Sequence, residues 1–199
     1  MPENLLDDFD YAIRRQALES CVGESFPESK SILNVHAHTF FSYNYRGYSP
    51  SRFALEAKRR GLAVAGIVEF DCLDGLDEFI AAGRLLDLKT SVGIESRVYV
   101  PEFAAREINS PGEPGISYHM GIGFTTTAVF DEAKSFLDGM RSTSAERNRG
   151  LVGRVNAHLD PVVLDYDADV LPLTPSCNAT ERHLCVAYAR KAAARFPEP

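Results

Sequence analysis

The sequence lacks any block of Lys and Arg residues. Its 28 acidic and 21 basic side chains give a formal net charge of −7. Binding to extended duplex nucleic acid depends on neutralising many backbone phosphates, so duplex nucleic acid is not expected as a partner. A small phosphorylated substrate held through a metal ion remains compatible with this charge.

Paired cysteines and long apolar runs are also missing. The four cysteines, at positions 21, 72, 177 and 185, form no CxxC pair, so these spacings do not predict a zinc ribbon. No apolar run approaches the roughly 20 residues that a membrane-spanning helix needs. Residues 1–12 are acidic and lack the apolar region of a signal peptide. We therefore expect a cytoplasmic protein with reduced thiols and no membrane partner.

What the chain does contain is an alternation of strand and helix patterns. Residues 31–35, the apolar run "LAVAGIV" and the segment "KTSVGIESRVYV" are typical of strands, and the segments between them are typical of helices. This order over residues 31–100 predicts βαβ units with a parallel sheet or barrel. Residues 1–30 are interpreted as an N-terminal helical extension of a domain at 31–199, with a helical segment at about 130–158.

Polar residues follow the predicted strands at their carboxyl ends, where α/β folds place their sites. They are the His36/His38 pair, Glu69–Asp71, Glu95 and His119. Imidazole and carboxylate ligands together suit Zn, Mn or Fe. Each residue alone has an ordinary interpretation: a polar loop residue, a salt-bridge partner for Glu95, or a satisfied core histidine for His119.

Several motifs resemble the PHP (polymerase and histidinol phosphatase) domain family. "NVHAHTFFSYN" resembles the family opening "DLHTHTxxSDG", and "SPSRFALEAKRRGLAVAGIVEFDCLDGL" resembles "SPEELVELAKERGLDVIAITDHDTLDGL". Gly93–Glu95 resembles the "GIE" strand and "HMGIGF" a "HILGYG"-type strand. "AERNRGLVGRVNAHL" and "NATERHL" resemble the helical insert and a later helix start of the branch that hydrolyses nucleoside bisphosphates and short oligonucleotides. The likeness covers residues 31–125 well and 130–195 loosely.

The resemblance implies a fold and a set of roles. The fold would be a distorted (βα)7 PHP-type barrel, incomplete in this chain, with a helical insert. His36 and His38 would bind a first metal, Glu95 would bridge two metals, and His119 would bind the second. Glu95 and His119 would thereby serve catalysis, in which a metal-bound hydroxide attacks phosphorus.

The chain also departs from the family pattern. Asn44 stands near the place of a family Asp, and Phe70 replaces a family His, so a third metal site is expected to be lost or rebuilt. Glu69 and Asp71 beside it could supply carboxylate ligands or could hydrogen-bond the following loop. The later "HP" and "DxH" motifs are missing. Two alternatives stay open: the chain is a fragment of a longer protein, or its metal site is incomplete.

The sequence thus predicts a metal-dependent phosphoesterase with one or two divalent ions. Arg182 and His183 lie in the first turn of a predicted helix and could bind the substrate phosphate, although a solvated helix face is equally consistent. The alternative is a non-catalytic PHP-like domain that binds metal or a ligand. A metal-dependent hydrolase of C–N or C–O bonds would share the same ligands.

Overall fold

The computed structural model describes residues 3–126 and 131–197. The α-helices of these residues are α1 Tyr11–Cys21, α2 Pro50–Arg59, α3 Leu76–Leu85, α4 Asp131–Leu159 and α5 Glu181–Arg195. The strands are β1 Leu33–Asn34, β2 Val64–Phe70, β3 Lys89–Tyr99 and β4 Ile116–Ile122. Short 3-10 helices lie at Glu3–Asp7, Pro101–Phe103 and Leu171–Leu173, and a π-helical turn lies at Tyr166–Val170.

The strands form one curled four-stranded sheet in the order β1–β2–β3–β4. β1, β2 and β3 are parallel, and α2 and α3 make the two crossovers between them. β4 pairs with β3 in the antiparallel direction. The predicted strand–helix alternation over residues 31–100 is therefore confirmed. The architecture is mixed α/β and consistent with part of a barrel rather than a complete (βα)7 barrel.

Helix ends near the sheet follow their capping chemistry in one case and not in another. The Ser49 hydroxyl accepts a hydrogen bond from the backbone N–H of Arg52 at 2.9 Å and caps α2, as serine commonly does at a helix start. Asp74 looks like the corresponding cap of α3, but the N-cap is Gly75, which makes no side-chain bond. Asp74 instead accepts a hydrogen bond from Arg141 of α4 at 2.7 Å, so it ties the long helix to the sheet.

The two faces of the sheet have different neighbours. Ala65 and Ile67 of β2 and Val92 of β3 belong to the core that also contains residues of α2 and α3. Side chains alternate along a strand, and the parallel register of β2 and β3 is continuous. Glu69 therefore has its side chain on the helix-facing side, whereas Glu95 lies on the opposite side.

The helices outside the βαβ units extend this packing. Arg14 of α1 and Glu78 of α3 form a buried ion pair that fixes the N-terminal helix to the core. α4 and α5 share a second apolar cluster, which includes Val152 and Leu184. α4 covers the expected helical segment apart from residue 130, which lies outside the described residues. No described helix is both long and apolar enough to cross a membrane.

Candidate metal centre

The two histidines lie side by side just beyond the end of β1. This strand is shorter than the predicted 31–35, but the chain continues beside β2, because the N–H of Val68 donates to the carbonyl of Ala37 at 2.8 Å. The ring centroids of His36 and His38 are 5.4 Å apart. The two imidazoles therefore lie together beyond the end of β1.

Both imidazoles converge on one carboxylate. The Nε2 atoms of His36 and His38 lie 3.2 and 3.4 Å from the Oε2 atom of Glu95. The three ligand atoms of this group lie within 4.8 Å of one another. Two imidazole nitrogens and a carboxylate oxygen are ligands that Zn, Mn and Fe accept. The donor set therefore fits a divalent transition metal.

His38 is held more tightly than the other members of this group. Its ring stacks on Phe70 with centroids 4.5 Å apart and planes 13° from parallel, and its Nδ1 atom lies 3.1 Å from the Ser42 hydroxyl. Burial, with smaller contributions from the charges of His36 and Arg182, lowers the pKa of His38 to about 4. The ring is therefore neutral near pH 7, which is the form that binds metals.

Phe70 is a functional neighbour that the motif comparison interprets only as a lost ligand. It is the cross-strand partner of Glu95, so its ring occupies the face of the sheet on which the metal group lies. The β2–β3 register would have indicated this role, because an aromatic residue paired with a candidate ligand lies on the same face and can pack against the other ligands.

The group is open on one side. The His36 side chain is 46% exposed, whereas that of Glu95 is 10% exposed. Among the described residues, no further His, Cys, Asp or Glu joins the group within the same distances. Solvent, substrate or further ligands can reach it from the His36 side, as a catalytic metal site requires.

Glu69 has a different role from that of Glu95. Its buried carboxylate accepts hydrogen bonds from the backbone N–H of Thr39, the Thr39 hydroxyl and the Ser42 hydroxyl, with the two hydroxyl bonds at 2.5 Å. Burial raises the pKa of Glu69 to about 7, although these hydrogen bonds oppose the shift. These hydrogen bonds come from the loop after β1 and not from the loop that follows β2, which the sequence-based alternative names. The ligand role of Glu69 stays a prediction.

Asp71 lies beside the group but outside it. Its backbone has a φ of +54°, and its N–H donates to the carbonyl of Glu95 at 3.0 Å. Burial raises the pKa of the Asp71 carboxyl, while a hydrogen bond with Ser96 and the charge of Arg147 oppose this. Its side chain faces a pocket next to the metal group.

His119 lies in the middle of β4 and not at the carboxyl end of a parallel strand. β4 runs antiparallel to β3 and places His119 opposite Ser96, while Met120 lies opposite Glu95. Directly paired residues share a face, so His119 and Glu95 lie on opposite faces of the sheet. This placement corrects the expectation from the sequence. The ligand and catalytic roles implied for His119 stay predictions that this arrangement does not favour.

His183 is a buried capping residue. Its Nδ1 atom accepts a hydrogen bond from the backbone N–H of Thr180 at 3.0 Å, and its ring lies edge-to-face with Tyr43 at 5.2 Å. Burial lowers the pKa of His183 to about 4. This geometry engages Nδ1 within the helix start, so a direct phosphate contact by His183 stays a prediction without structural support.

Arg182 lies in a more suitable position. It lines a pocket of about 230 Å³ together with Phe70, Arg97 and Arg147. Glu181 accompanies these cations, lying 3.2 Å from Arg147 and 3.8 Å from Arg97. The pocket therefore presents three guanidinium groups next to the ring that stacks on His38. Sequence inspection singles out Arg182 but not Arg147, because α4 carries many charged residues with no pattern that marks one of them.

Comparisons with known proteins give the fold only. No protein-family model and no curated protein matches the sequence. The chain is similar in structure to a candidate metal-dependent phosphoesterase from Bifidobacterium adolescentis, with a TM-score of 0.63, 18% identity and coverage of 88% of this chain and 60% of that one. It is also similar to an amidohydrolase from Chromobacterium violaceum, determined with sulfate and without metal, with a TM-score of 0.61, 18% identity and coverage of 84% and 51%. The chain thus has a metal-dependent-hydrolase-like fold and spans little more than half the length of these two proteins.

Proposed function

We propose that this chain is a PHP-type metal-dependent phosphoesterase that acts on a small phosphorylated substrate, such as a nucleotide-like compound. His36, His38 and Glu95 would hold a divalent ion, with Zn, Mn or Fe as candidates. The observation that carries the proposal is the convergence of two imidazoles on one buried carboxylate oxygen, next to a pocket lined by guanidinium groups.

The chemistry divides between the ion and the chain. A bound divalent metal would supply Lewis acidity toward a phosphate oxygen. Arg182 would bind the phosphate through charge-assisted hydrogen bonds. Arg97 and Arg147 would add less positive potential around it, because Glu181 lies against both of them and Glu113 pairs with Arg97. Phe70 would shield the His38 side of the group from water by its stacked ring. These contributions all favour an anionic substrate over a neutral one.

The alternative is a PHP-like domain that binds metal without turnover. Two departures from the family pattern favour it. Asn44 donates its side-chain amide to the backbone carbonyl of His38 at 2.8 Å and so supports the loop. Phe70 offers a ring where the family has an imidazole. The chain spans only 60% and 51% of its two structural neighbours, so the activity of the whole protein is a proposal.

The test is turnover by the metal-loaded chain on phosphate monoesters, including p-nitrophenyl phosphate and mononucleotides. We expect hydrolysis that disappears in a His36→Ala/His38→Ala double variant. Arg182→Ala is expected to raise KM for phosphate substrates, whereas Arg154→Ala, at an exposed position of α4, should leave it unchanged.

The contradicting outcomes are specific. Metal binding without phosphatase activity would favour the non-catalytic alternative. Hydrolysis of amides or esters but of no phosphate ester would replace the proposed reaction by C–N or C–O cleavage at the same ligands. Equal effects of the two arginine variants would remove Arg182 from the phosphate site.

A further inference from the structure

A single hydroxyl group connects the two buried carboxylate regions of the site. Ser42 is fully buried. Its Oγ atom lies 2.5 Å from the Oε2 atom of Glu69 and 3.1 Å from the Nδ1 atom of His38. A serine hydroxyl has one proton to donate. It can therefore act as donor to only one of these two neighbours.

The surroundings of Glu69 decide where this proton goes. The backbone N–H of Thr39 lies 3.0 and 3.2 Å from the two carboxylate oxygens, and the Thr39 hydroxyl lies 2.5 Å from Oε1. The Thr39 N–H can only donate, so the carboxylate oxygens of Glu69 act as acceptors toward it. Of the two bonds that Ser42 makes, the shorter contact with Glu69 is the stronger. This arrangement fits an acceptor-only carboxylate, so Ser42 donates to Glu69.

The Ser42 oxygen then meets His38 with a lone pair. We propose that Ser42 and Glu69 are positioning residues that hold His38 as the tautomer protonated on Nδ1. The lone pair of His38 is thereby assigned to Nε2, the atom that faces Glu95. The proposal deepens the metal site of the proposed function, and it concerns the metal-free chain as well as the loaded one.

With the proton on Nδ1, the lone pairs of the ligand group face one another and favour the binding of a cation between them. The His38 Nε2 atom and the Glu95 Oε2 atom lie 3.4 Å apart, and with the proton on Nδ1 both present lone pairs to each other. Two facing acceptors repel one another unless a proton or a cation lies between them. Hydrogen-bonded partners of ligating histidines orient the ring and set its tautomer in the same way in metal sites generally.

The variant Glu69→Gln is expected to reverse the tautomer. The two Thr39 donors favour the amide oxygen at the position of Oε1, which places the amide nitrogen next to Ser42. The nitrogen would donate to the Ser42 oxygen, and the Ser42 proton would then turn to Nδ1 of His38. His38 would carry its own proton on Nε2, directed at Glu95.

The experiment is long-range 1H–15N NMR of the full metal-free chain labelled at histidine, at about pH 8.5, where ordinary carboxyl groups are ionised. We expect His38 to be protonated on Nδ1 in the wild type and on Nε2 in Glu69→Gln. Thr39→Ser, which keeps a hydroxyl donor to Glu69, is the control and should show the wild-type tautomer. Ser42→Ala removes the acceptor and should also move the proton to Nε2, which keeps a test available if Glu69→Gln does not fold.

Metal titrations provide the second readout. Zn²⁺ affinity should fall by about 10- to 100-fold in Glu69→Gln, as for other lost partners of ligating histidines. An Nε2-protonated His38 in the wild type, or an Nδ1-protonated His38 in both Glu69→Gln and Ser42→Ala, would overturn the assignment. A chain that binds no metal but shows the expected tautomers would contradict the proposed function and leave this inference standing.

Discussion

Glu69 and Glu95 are both buried carboxylates on neighbouring parallel strands, but their surroundings are opposite. Glu69 faces the helices and receives hydrogen bonds from the backbone and hydroxyl groups of Thr39 and from Ser42. Glu95 lies on the other face, with the Nε2 atoms of two histidines 3.2 and 3.4 Å from one oxygen. A carboxylate surrounded by donors supports the fold, whereas a carboxylate that meets imidazole nitrogens is suited to hold a metal.

The largest expected effect separates these two roles by matched alanine variants. Glu95→Ala should weaken metal binding by more than about 100-fold, beyond the loss typical when a residue hydrogen-bonded to a ligand is removed, and should leave the metal-free chain nearly as stable as the wild type. Glu69→Ala should lower the free energy of unfolding by roughly 2–5 kcal/mol, because it leaves the two buried donors of Thr39 unpaired. Metal titration and urea denaturation measure the two effects.

Equal effects of Glu69→Ala and Glu95→Ala on metal binding and stability would contradict the different roles assigned to the two carboxylates. Metal binding that survives Glu95→Ala would remove Glu95 from the ligand group. A Glu69→Ala variant as stable as the wild type would show that the donors around Glu69 find other partners.

The pH dependence of stability should carry a signature of Glu69. Burial raises its pKa from 4.5 to about 7, so the folded state holds this proton more tightly than the unfolded state. The contribution of Glu69 to the free energy of unfolding is therefore fully present below its unfolded-state pKa of 4.5 and is lost as pH rises through about 7. The loss is on the order of 3 kcal/mol across that range.

The control for this effect is the difference between wild type and Glu69→Gln. His38 and His183, with pKa values lowered to about 4, act in the opposite direction below pH 6.5, and both proteins retain them. Unfolding free energies from urea titrations at several pH values should therefore give a difference curve that falls from acidic to neutral pH. A flat difference curve would show that Glu69 titrates near its ordinary pKa.

The smallest expected effect concerns His183, for which phosphate binding is one of the two sequence-based alternatives. His183→Ala should lower the free energy of unfolding by about 1 kcal/mol, as for other lost helix caps, because the N–H of Thr180 loses its acceptor. Metal affinity should not change. A loss of substrate affinity at unchanged stability would instead return His183 to the phosphate site, and calorimetry of the variant with a phosphate ester would detect it.

The sequence predicts those site residues that lie within or directly after a recognisable strand. The His36/His38 pair follows β1 and Glu95 lies within β3, two strands whose order and direction the helix–strand alternation indicates. The sequence does not predict the position of His119 correctly, because its strand follows a long loop. The length of a loop does not reveal whether the next strand is parallel or antiparallel. Glu69 could have been separated from Glu95 by counting alternate positions from the buried Ile67, but a motif comparison groups neighbours in sequence regardless of face.

Hydrogen-bond direction lies beyond what the sequence can predict. Thr39 and Ser42 lie in one turn, but Glu69 is 30 and 27 residues away from them, and only the fold brings both hydroxyl groups to its carboxylate. The same holds for Arg97, Arg147 and Arg182, which come from β3, α4 and α5 to line one pocket. Their shared position depends on the tertiary packing that brings residues of α4 and α5 next to Arg97 of β3.

The central claim is that His36, His38 and Glu95 form a divalent-metal site, and metal content tests it most directly. Elemental analysis should find near-stoichiometric Zn, Mn or Fe in the purified wild type or after loading and dialysis. The His36→Ala/His38→Ala double variant, treated identically, should hold none. A wild type that retains no metal after loading, or a double variant that retains as much as the wild type, would contradict the account.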